Sequence, residues 1–84
     1  MNLDAMANAP MSRDDFQRFL LELASSARHE PTAWSNETLS TYLEASANWL
    51  ADVEGFFAYR GEDIPAEPTW QLFAQILVAG RVYE

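Results

Sequence analysis

Residues 69–83 read T-W-Q-L-F-A-Q-I-L-V-A-G-R-V-Y, and this stretch decides the fold. Between Pro68 and Arg81 the chain has no charged side chain, and on a helical wheel only Gln71 and Gln75 interrupt an apolar circumference. A helix that is apolar almost all round is a buried helix. The stretch is also shorter than the roughly 20 residues that a membrane-spanning helix needs. The sequence therefore predicts a central core helix at this end of the chain.

A first helix is predicted to begin at Ser12, a good N-cap residue that is followed by acidic side chains in the first turn. Pro31 stops this helix after His29. Its apolar side chains recur at helical spacing and form one stripe: Phe16, Phe19, Leu20, Leu23, Ala24 and Ala27. Residues 1–11 are mostly small or polar, and we expect a disordered or frayed N-terminus before a single helical domain of residues 12–84.

The second helix is predicted to have Ser35 as its N-cap, with Asn36 as the close alternative. With Ser35 as the cap, Trp34 and Leu39 occupy the two positions of a hydrophobic staple. The helix is expected to run to about residue 53. Its predicted inner face consists of Leu39, Tyr42, Leu43, Ser46, Trp49, Leu50 and Val53.

Gly55 is predicted to end this second helix. The aromatic run at residues 56–59 either extends the helix by a turn or crosses the core irregularly, and residues 61–68 have the glycine and proline content of an extended surface connection. Thr69 caps the last helix, and Gly80 is placed for a left-handed residue after its end. The sequence thus predicts an all-α fold, a small three-helix bundle-like domain with a buried C-terminal helix.

The composition excludes several classes of partner and of functional site. The 84 residues include five arginines, no lysine and 13 acids, which gives a formal charge of −8. Such a charge disfavours binding to nucleic acid and to anionic membranes and favours a basic partner protein, although its simplest role is solubility. With no cysteine, the chain has no disulfide framework, thiolate zinc site or cysteine nucleophile. The N-terminus lacks the features of a secretory signal, and we expect a cytoplasmic location.

No catalytic, cofactor-binding or metal site is predicted. The only histidine, His29, lies at the C-terminal end of a predicted helix, where it either interacts favourably with the helix dipole or is simply exposed. Adjacent acidic pairs have diverging side chains, and the chain has neither EF-hand spacing nor an H-E-x-x-H motif. Without a lysine, a Schiff base and a P-loop are both excluded. We therefore do not expect an enzyme.

Two surfaces are candidates for binding a partner. The second helix carries a polar stripe opposite its inner face: Glu37, Thr41, Glu44, Asn48 and Asp52. Aromatic side chains next to acids form the other candidate: Phe56, Phe57 and Tyr59, with Glu62 and Asp63. Aromatic anchors and acidic rims are typical of interfaces with basic proteins, while a solvated helix face and core aromatics are the simpler interpretation.

The favoured function is a non-catalytic module that covers a basic partner protein, as an immunity protein or an inhibitor does. The alternative is a self-associating homodimer that buries the apolar surplus of the last helix and of residues 56–59. An enzyme that uses carboxylates or His29 ranks last.

The order of motifs resembles a known family. The stretch Trp34-Ser35-Asn36-Glu37-Thr38-Leu39 (W-x-N-x-T-L) and the stretch Ala79-Gly80-Arg81-Val82-Tyr83-Glu84 (A-G-x-x-Y-E) are the most recognisable parts. They resemble those of small acidic bacterial proteins known only as a domain of unknown function, over about residues 11–84. The resemblance implies a single, mostly helical domain in the bacterial cytoplasm. It implies no activity, cofactor or catalytic residue.

Overall fold

In a computed structural model that describes residues 2–83, the chain folds into five α-helices and one short 3-10 turn. The helices are α1 (Leu3–Ala7), α2 (Arg13–His29), α3 (Leu39–Ala51), α4 (Val53–Tyr59) and α5 (Trp70–Ala79), and the 3-10 turn is Pro31–Ala33. The described residues contain no strand. The all-α prediction is confirmed, with two more helices than the three predicted.

Helix α5 is the centre of the fold, because it contacts α1, α2 and α3. One face of α5 packs in a core cluster with α1 and α2 that comprises Leu3, Ala7, Phe19, Leu23, Ala74 and Val78. Another face packs on a second cluster formed by Trp49, Val53 and Phe57. The helix is not buried all round, since Trp70 and Phe73 are each 39% exposed while Gln75 is buried. The Gln75 amide donates to Asn8 Oδ1 at 3.3 Å, which satisfies this polar group inside the protein.

Helix α2 begins and ends where the sequence predicts. The Ser12 side chain accepts from the backbone N–H of Asp15, and the Asp15 carboxylate accepts from the backbone N–H of Ser12, at 3.1 Å each. The hydrogen bonds from Ser12, together with Arg18, lower the pKa of Asp15. This reciprocal arrangement is a capping box, which satisfies two N–H groups at the helix start.

Helix α1 lies where the sequence predicts a frayed segment. Asn2 caps the helix, and Leu3 and Ala7 are buried against α2 and α5. Polar contacts also hold its C-terminal end, where Asn8 Oδ1 accepts from Arg60 Nη1 at 2.5 Å. Five residues are too few to show a helical period in the sequence, so only the tertiary contacts reveal this helix.

Helix α3 begins three residues later than the Ser35 cap implies. Thr38 is the N-cap and forms a capping box with Thr41. The predicted staple is also wrong, because the ring centroid of Trp34 lies 5.2 Å from that of Tyr42 and Leu39 is 73% exposed. Neither Ser35 nor Asn36 caps the helix.

The glycines act differently from the prediction. Gly55 lies inside α4, which continues after a break at Asp52, so the aromatic run is helical. Gly61 has φ +68° and ends α4 in a Schellman motif, with Gly61 N–H donating to Ala58 O and Glu62 N–H to Phe57 O. Gly80 has φ −59°, a right-handed conformation, and is required for close packing instead.

Candidate partner-binding surface

The predicted inner face of α3 divides into a buried strip and an exposed one. Ser46 and Trp49 pack inward, as does most of Tyr42. Three leucines on the adjacent strip remain exposed: Leu39 by 73%, Leu43 by 55% and Leu50 by 45%. The reason is that α3 approaches α5 through Ser46 and Gly80, so the contact is centred on small residues and the leucines fall beside it. We call Leu39, Leu43 and Leu50 the leucine strip.

The predicted polar stripe lies mostly on α3 and is exposed. Glu44 and Asn48 are solvent-facing, whereas the Thr41 hydroxyl is engaged in the capping box. Asp52, at the break between α3 and α4, accepts a hydrogen bond from the Tyr83 hydroxyl, and this bond raises the pKa of Tyr83. Glu37 precedes the helix and is also exposed. The stripe thus retains Glu37, Glu44 and Asn48 as side chains free to meet a partner.

The aromatic segment presents one large exposed ring. Phe57 is buried in the core, which is the simpler of the two interpretations that the sequence left open, so it cannot reach a partner. Phe56 is half-buried against Trp49 and Phe57, at ring-centroid distances of 5.0 and 5.1 Å. Tyr59 is 93% exposed.

The acids of this segment are partly neutralised. Glu62 forms an ion pair with Arg60 at 3.4 Å, and the Arg60 guanidinium also lies 5.3 Å from the centre of the Phe56 ring. Asp63 is exposed in the following loop. The segment is therefore a weaker match to an acid-rimmed aromatic anchor than its sequence suggests.

The arginines leave the acids near α3 uncompensated. Four of the five arginines face an acid, in the pairs Arg13–Asp14, Arg18–Asp15, Arg60–Glu62 and Arg81–Asp4. Within residues 2–83, no arginine lies within ion-pair distance of Glu37, Glu44 or Glu54. Glu37 and Glu44, which are close in sequence to Leu39 and Leu43 of the leucine strip, therefore keep charges that no arginine of the described residues neutralises.

A further exposed apolar patch was missed by the sequence reasoning. The rings of Phe16 and Trp70 lie 5.4 Å apart, and those of Trp70 and Phe73 5.9 Å apart. Leu20, one turn after Phe16, is 41% exposed. The i, i+4 spacing of Phe16 and Leu20 and the i, i+3 spacing of Trp70 and Phe73 place each pair on one helix face, but helical spacing alone does not show which apolar face stays exposed.

The two motifs that carry the family resemblance bind each other. The Asn36 amide donates to the carbonyl oxygens of Gly80 and Tyr83, at 2.9 Å each, and the Asn36 backbone N–H donates to Arg81 O at 3.0 Å. This asparagine therefore joins the loop before α3 to the C-terminal segment.

Beside this junction lies a small cavity of about 210 Å³, lined by Ala27, Pro31, Trp34 and Glu37. One wall is fixed in place, because the Trp34 indole N–H donates to Ser26 Oγ at 3.1 Å. The cavity combines apolar walls with one carboxylate.

Across residues 2–83, no group of three or more histidine, aspartate or glutamate side chains is arranged to hold a metal ion. His29 is exposed at the end of α2. Among the helices described, none has the length and apolar character needed to cross a membrane.

The chain has no significant match among curated proteins or solved structures. A family model matches residues 12–84, and its description is a family of unknown function, DUF7660. The match covers the loop before α3 and the C-terminal segment that Asn36 joins, and it confirms the resemblance to a domain of unknown function. The chain belongs to the DUF7660 family.

Proposed function

We propose that this chain is a non-catalytic protein-binding module that covers a basic site on a partner protein, in the manner of an immunity protein or an inhibitor. The observation that carries the proposal is the leucine strip, Leu39, Leu43 and Leu50, exposed on α3 near acids without an ion-pair partner. A cytoplasmic location is part of the proposal and is supported by the absence of cysteine.

The two features of this surface have separate roles. Apolar side chains supply the binding free energy that burial gives, about 25 cal/mol per Å² removed from water. Carboxylates around them raise the association rate of a basic partner and repel acidic ones. Glu37, Glu44 and Glu54 are available for this role, because no arginine among the described residues neutralises them.

Photo-crosslinking tests the proposal. A photoreactive amino acid at Leu43 is expected to capture a basic protein in the native host. The matched control is Leu21, a similarly exposed leucine of α2 that is 61% exposed, against 55% for Leu43. Adducts at position 43 that are acidic, or no more frequent than those at position 21, would contradict the proposal.

Charge reversal then locates the surface. Glu44→Lys and Glu67→Lys change the net charge equally, and both side chains are exposed. Binding of the captured partner is expected to weaken several-fold more with Glu44→Lys, and the difference should shrink at high salt because exposed charges are screened. Equal effects of the two variants would mean that net charge alone, rather than the α3 surface, drives binding.

A self-associating homodimer is the second candidate, and the patch of Phe16, Leu20, Trp70 and Phe73 favours it. A symmetric contact through this patch would bury aromatic side chains that are partly exposed in the monomer. Light scattering should then give twice the mass of one chain, and Phe73→Ser should restore the monomer mass. A monomer at high concentration would exclude this candidate.

A further inference from the structure

The cavity lined by Ala27, Pro31, Trp34 and Glu37 has the size of a side-chain site. Its volume of about 210 Å³ is below the roughly 300–1,000 Å³ of small-molecule sites. It therefore suits one side chain of a partner protein better than a whole metabolite.

The aromatic wall of the cavity is preformed. Trp34 donates to Ser26 Oγ, and its ring packs on Tyr42, whose hydroxyl donates to Leu77 O at 2.7 Å. A side chain that is already held in place loses little conformational entropy when a partner binds. The Trp34 ring can therefore act as a rigid platform.

The electrostatics of the cavity favour a cation. Glu37 contributes a carboxylate, and no arginine among residues 2–83 lies within ion-pair distance of it. Ala27 belongs to the last turn of α2, which also holds Arg28 and His29, so Glu37 rather than the helix dipole supplies the negative charge of the cavity. Apolar walls and a single carboxylate together match a cationic group on an aliphatic stem.

We propose that this cavity binds an arginine side chain of the partner. The guanidinium pairs with Glu37, and its methylene groups pack on Ala27, Pro31 and the Trp34 ring. Arginine fits better than lysine, because its planar guanidinium is weakly hydrated and stacks on aromatic faces. This inference rests on the proposed function and names the side chain that anchors the basic partner.

Nuclear magnetic resonance tests the site with N-acetylarginine amide as the probe. We expect a saturable shift of the Trp34 indole N–H resonance, with a Kd on the order of millimolar for so small a ligand. Trp49 and Trp70 are internal controls and should move little. N-acetylcitrulline amide, the neutral counterpart of the probe, should leave Trp34 unchanged.

Two variants complete the test. Glu37→Gln is expected to weaken binding of N-acetylarginine amide about tenfold, or about 1.4 kcal/mol. Glu67→Gln, which removes an exposed acid outside the cavity lining, should leave it unchanged. An unmoved Trp34 resonance, equal binding of the citrulline probe, or full affinity in Glu37→Gln would each overturn the arginine site.

The proposed function is tested separately. A basic partner captured at Leu43 that binds equally well to Glu37→Gln would overturn the arginine site and leave the binding module in place. Failure to capture any basic partner at Leu43 would instead overturn the proposed function.

Discussion

Gly80 packs so closely on Ser46 that a β-carbon at position 80 would overlap the serine hydroxyl oxygen. The same β-carbon would lie 3.1 Å from Cε1 of Tyr42. The backbone at Gly80 is right-handed, so any residue could adopt its φ of −59°. Space, rather than backbone conformation, requires a glycine where α5 meets α3.

Gly80→Ala is expected to destabilise the protein by about 1–3 kcal/mol, because the added methyl group forces Ser46 or the helices to move. Urea unfolding measures the change. Gly55→Ala is the matched control, since this residue is inside α4 and a β-carbon there would meet nothing within 4 Å beyond the backbone of its own helix. That variant should gain about 0.4–1 kcal/mol. Equal effects at both positions would argue against the close approach of α3 and α5.

Removing the serine hydroxyl gives a second test of the same contact. In the background of Gly80→Ala, Ser46→Ala should recover part of the lost stability, because the overlapping oxygen is gone. Ser46 Oγ also donates to Tyr42 O at 2.9 Å, so Ser46→Ala alone should cost a little. A double-mutant cycle from urea unfolding isolates the coupling, and strictly additive effects would show that the two residues do not interact.

Asn36→Ala is expected to destabilise the protein by about 1–3 kcal/mol. The substitution removes the two amide hydrogen bonds to Gly80 O and Tyr83 O and leaves half-buried carbonyl groups without these partners. Asn48→Ala is the control, because Asn48 is exposed on α3 and alanine is the better helix former. Thermal unfolding should show a clear loss for position 36 and none for position 48. Similar unfolding temperatures would mean that Asn36 does not tie the C-terminal segment to the fold.

Local signals in the sequence predicted the parts of the fold that depend on local physics. The Ser12 and Thr69 caps satisfy N–H groups within their own helices, so neighbouring residues suffice to identify them. The central position of α5 follows from its nearly unbroken apolar character. These features need no knowledge of what packs against them.

Features that depend on distant residues were not predictable in this way. Asn36 resembled an N-cap, but its hydrogen-bond partners lie more than 40 residues away at Gly80 and Tyr83. Gly80 resembled a left-handed helix end, but its role depends on Ser46 of another helix. In both cases the residue type indicated a structural role, but the residues with which it interacts could not be inferred from the neighbouring sequence.

The candidate surface shows the same limit. Helical periodicity placed Leu39, Leu43 and Leu50 on an apolar face, and they do share one strip. Helical periodicity could not show that α3 packs on α5 through Ser46, which leaves the leucine strip exposed beside the contact. For Phe57 the sequence leaves surface and core both open, because acids lie near it in the chain while its core cluster includes residues of α3 and α5.

Alkaline pH is expected to destabilise the fold through Tyr42. Burial raises the pKa of this hydroxyl from 10.0 to about 12, although the positive charge of Arg81 acts to lower it. Because the pKa is higher in the folded state, the contribution is complete below pH 10 and is lost as the pH rises through 12. The urea concentration at the midpoint of unfolding should fall steadily between pH 10 and pH 12.

Tyrosine variants separate the sources of that pH dependence. Tyr83 acts in the same direction, because its hydrogen bond to Asp52 raises its pKa, so the measurement is best made in Tyr83→Phe. Adding Tyr42→Phe should cost about 0.5–1.5 kcal/mol at neutral pH through the lost bond to Leu77 O. In the same variant the urea midpoint should fall less as the pH rises from 10 to 12. If the urea midpoint falls as much as before, another group causes the loss of stability.

Leu3→Ala is expected to destabilise the protein by about 2 kcal/mol, at the low end of the usual 2–5 kcal/mol for a buried leucine because α1 is short and terminal. Leu3 is 7% exposed and belongs to the cluster that α1, α2 and α5 share. Leu21→Ala is the matched control, since Leu21 is 61% exposed and should change stability by no more than about 0.5 kcal/mol. Urea unfolding of both variants measures whether α1 contributes to the free energy of unfolding through the core. Equal stabilities would mean that the fold is complete without α1, as the frayed N-terminus inferred from the sequence implied.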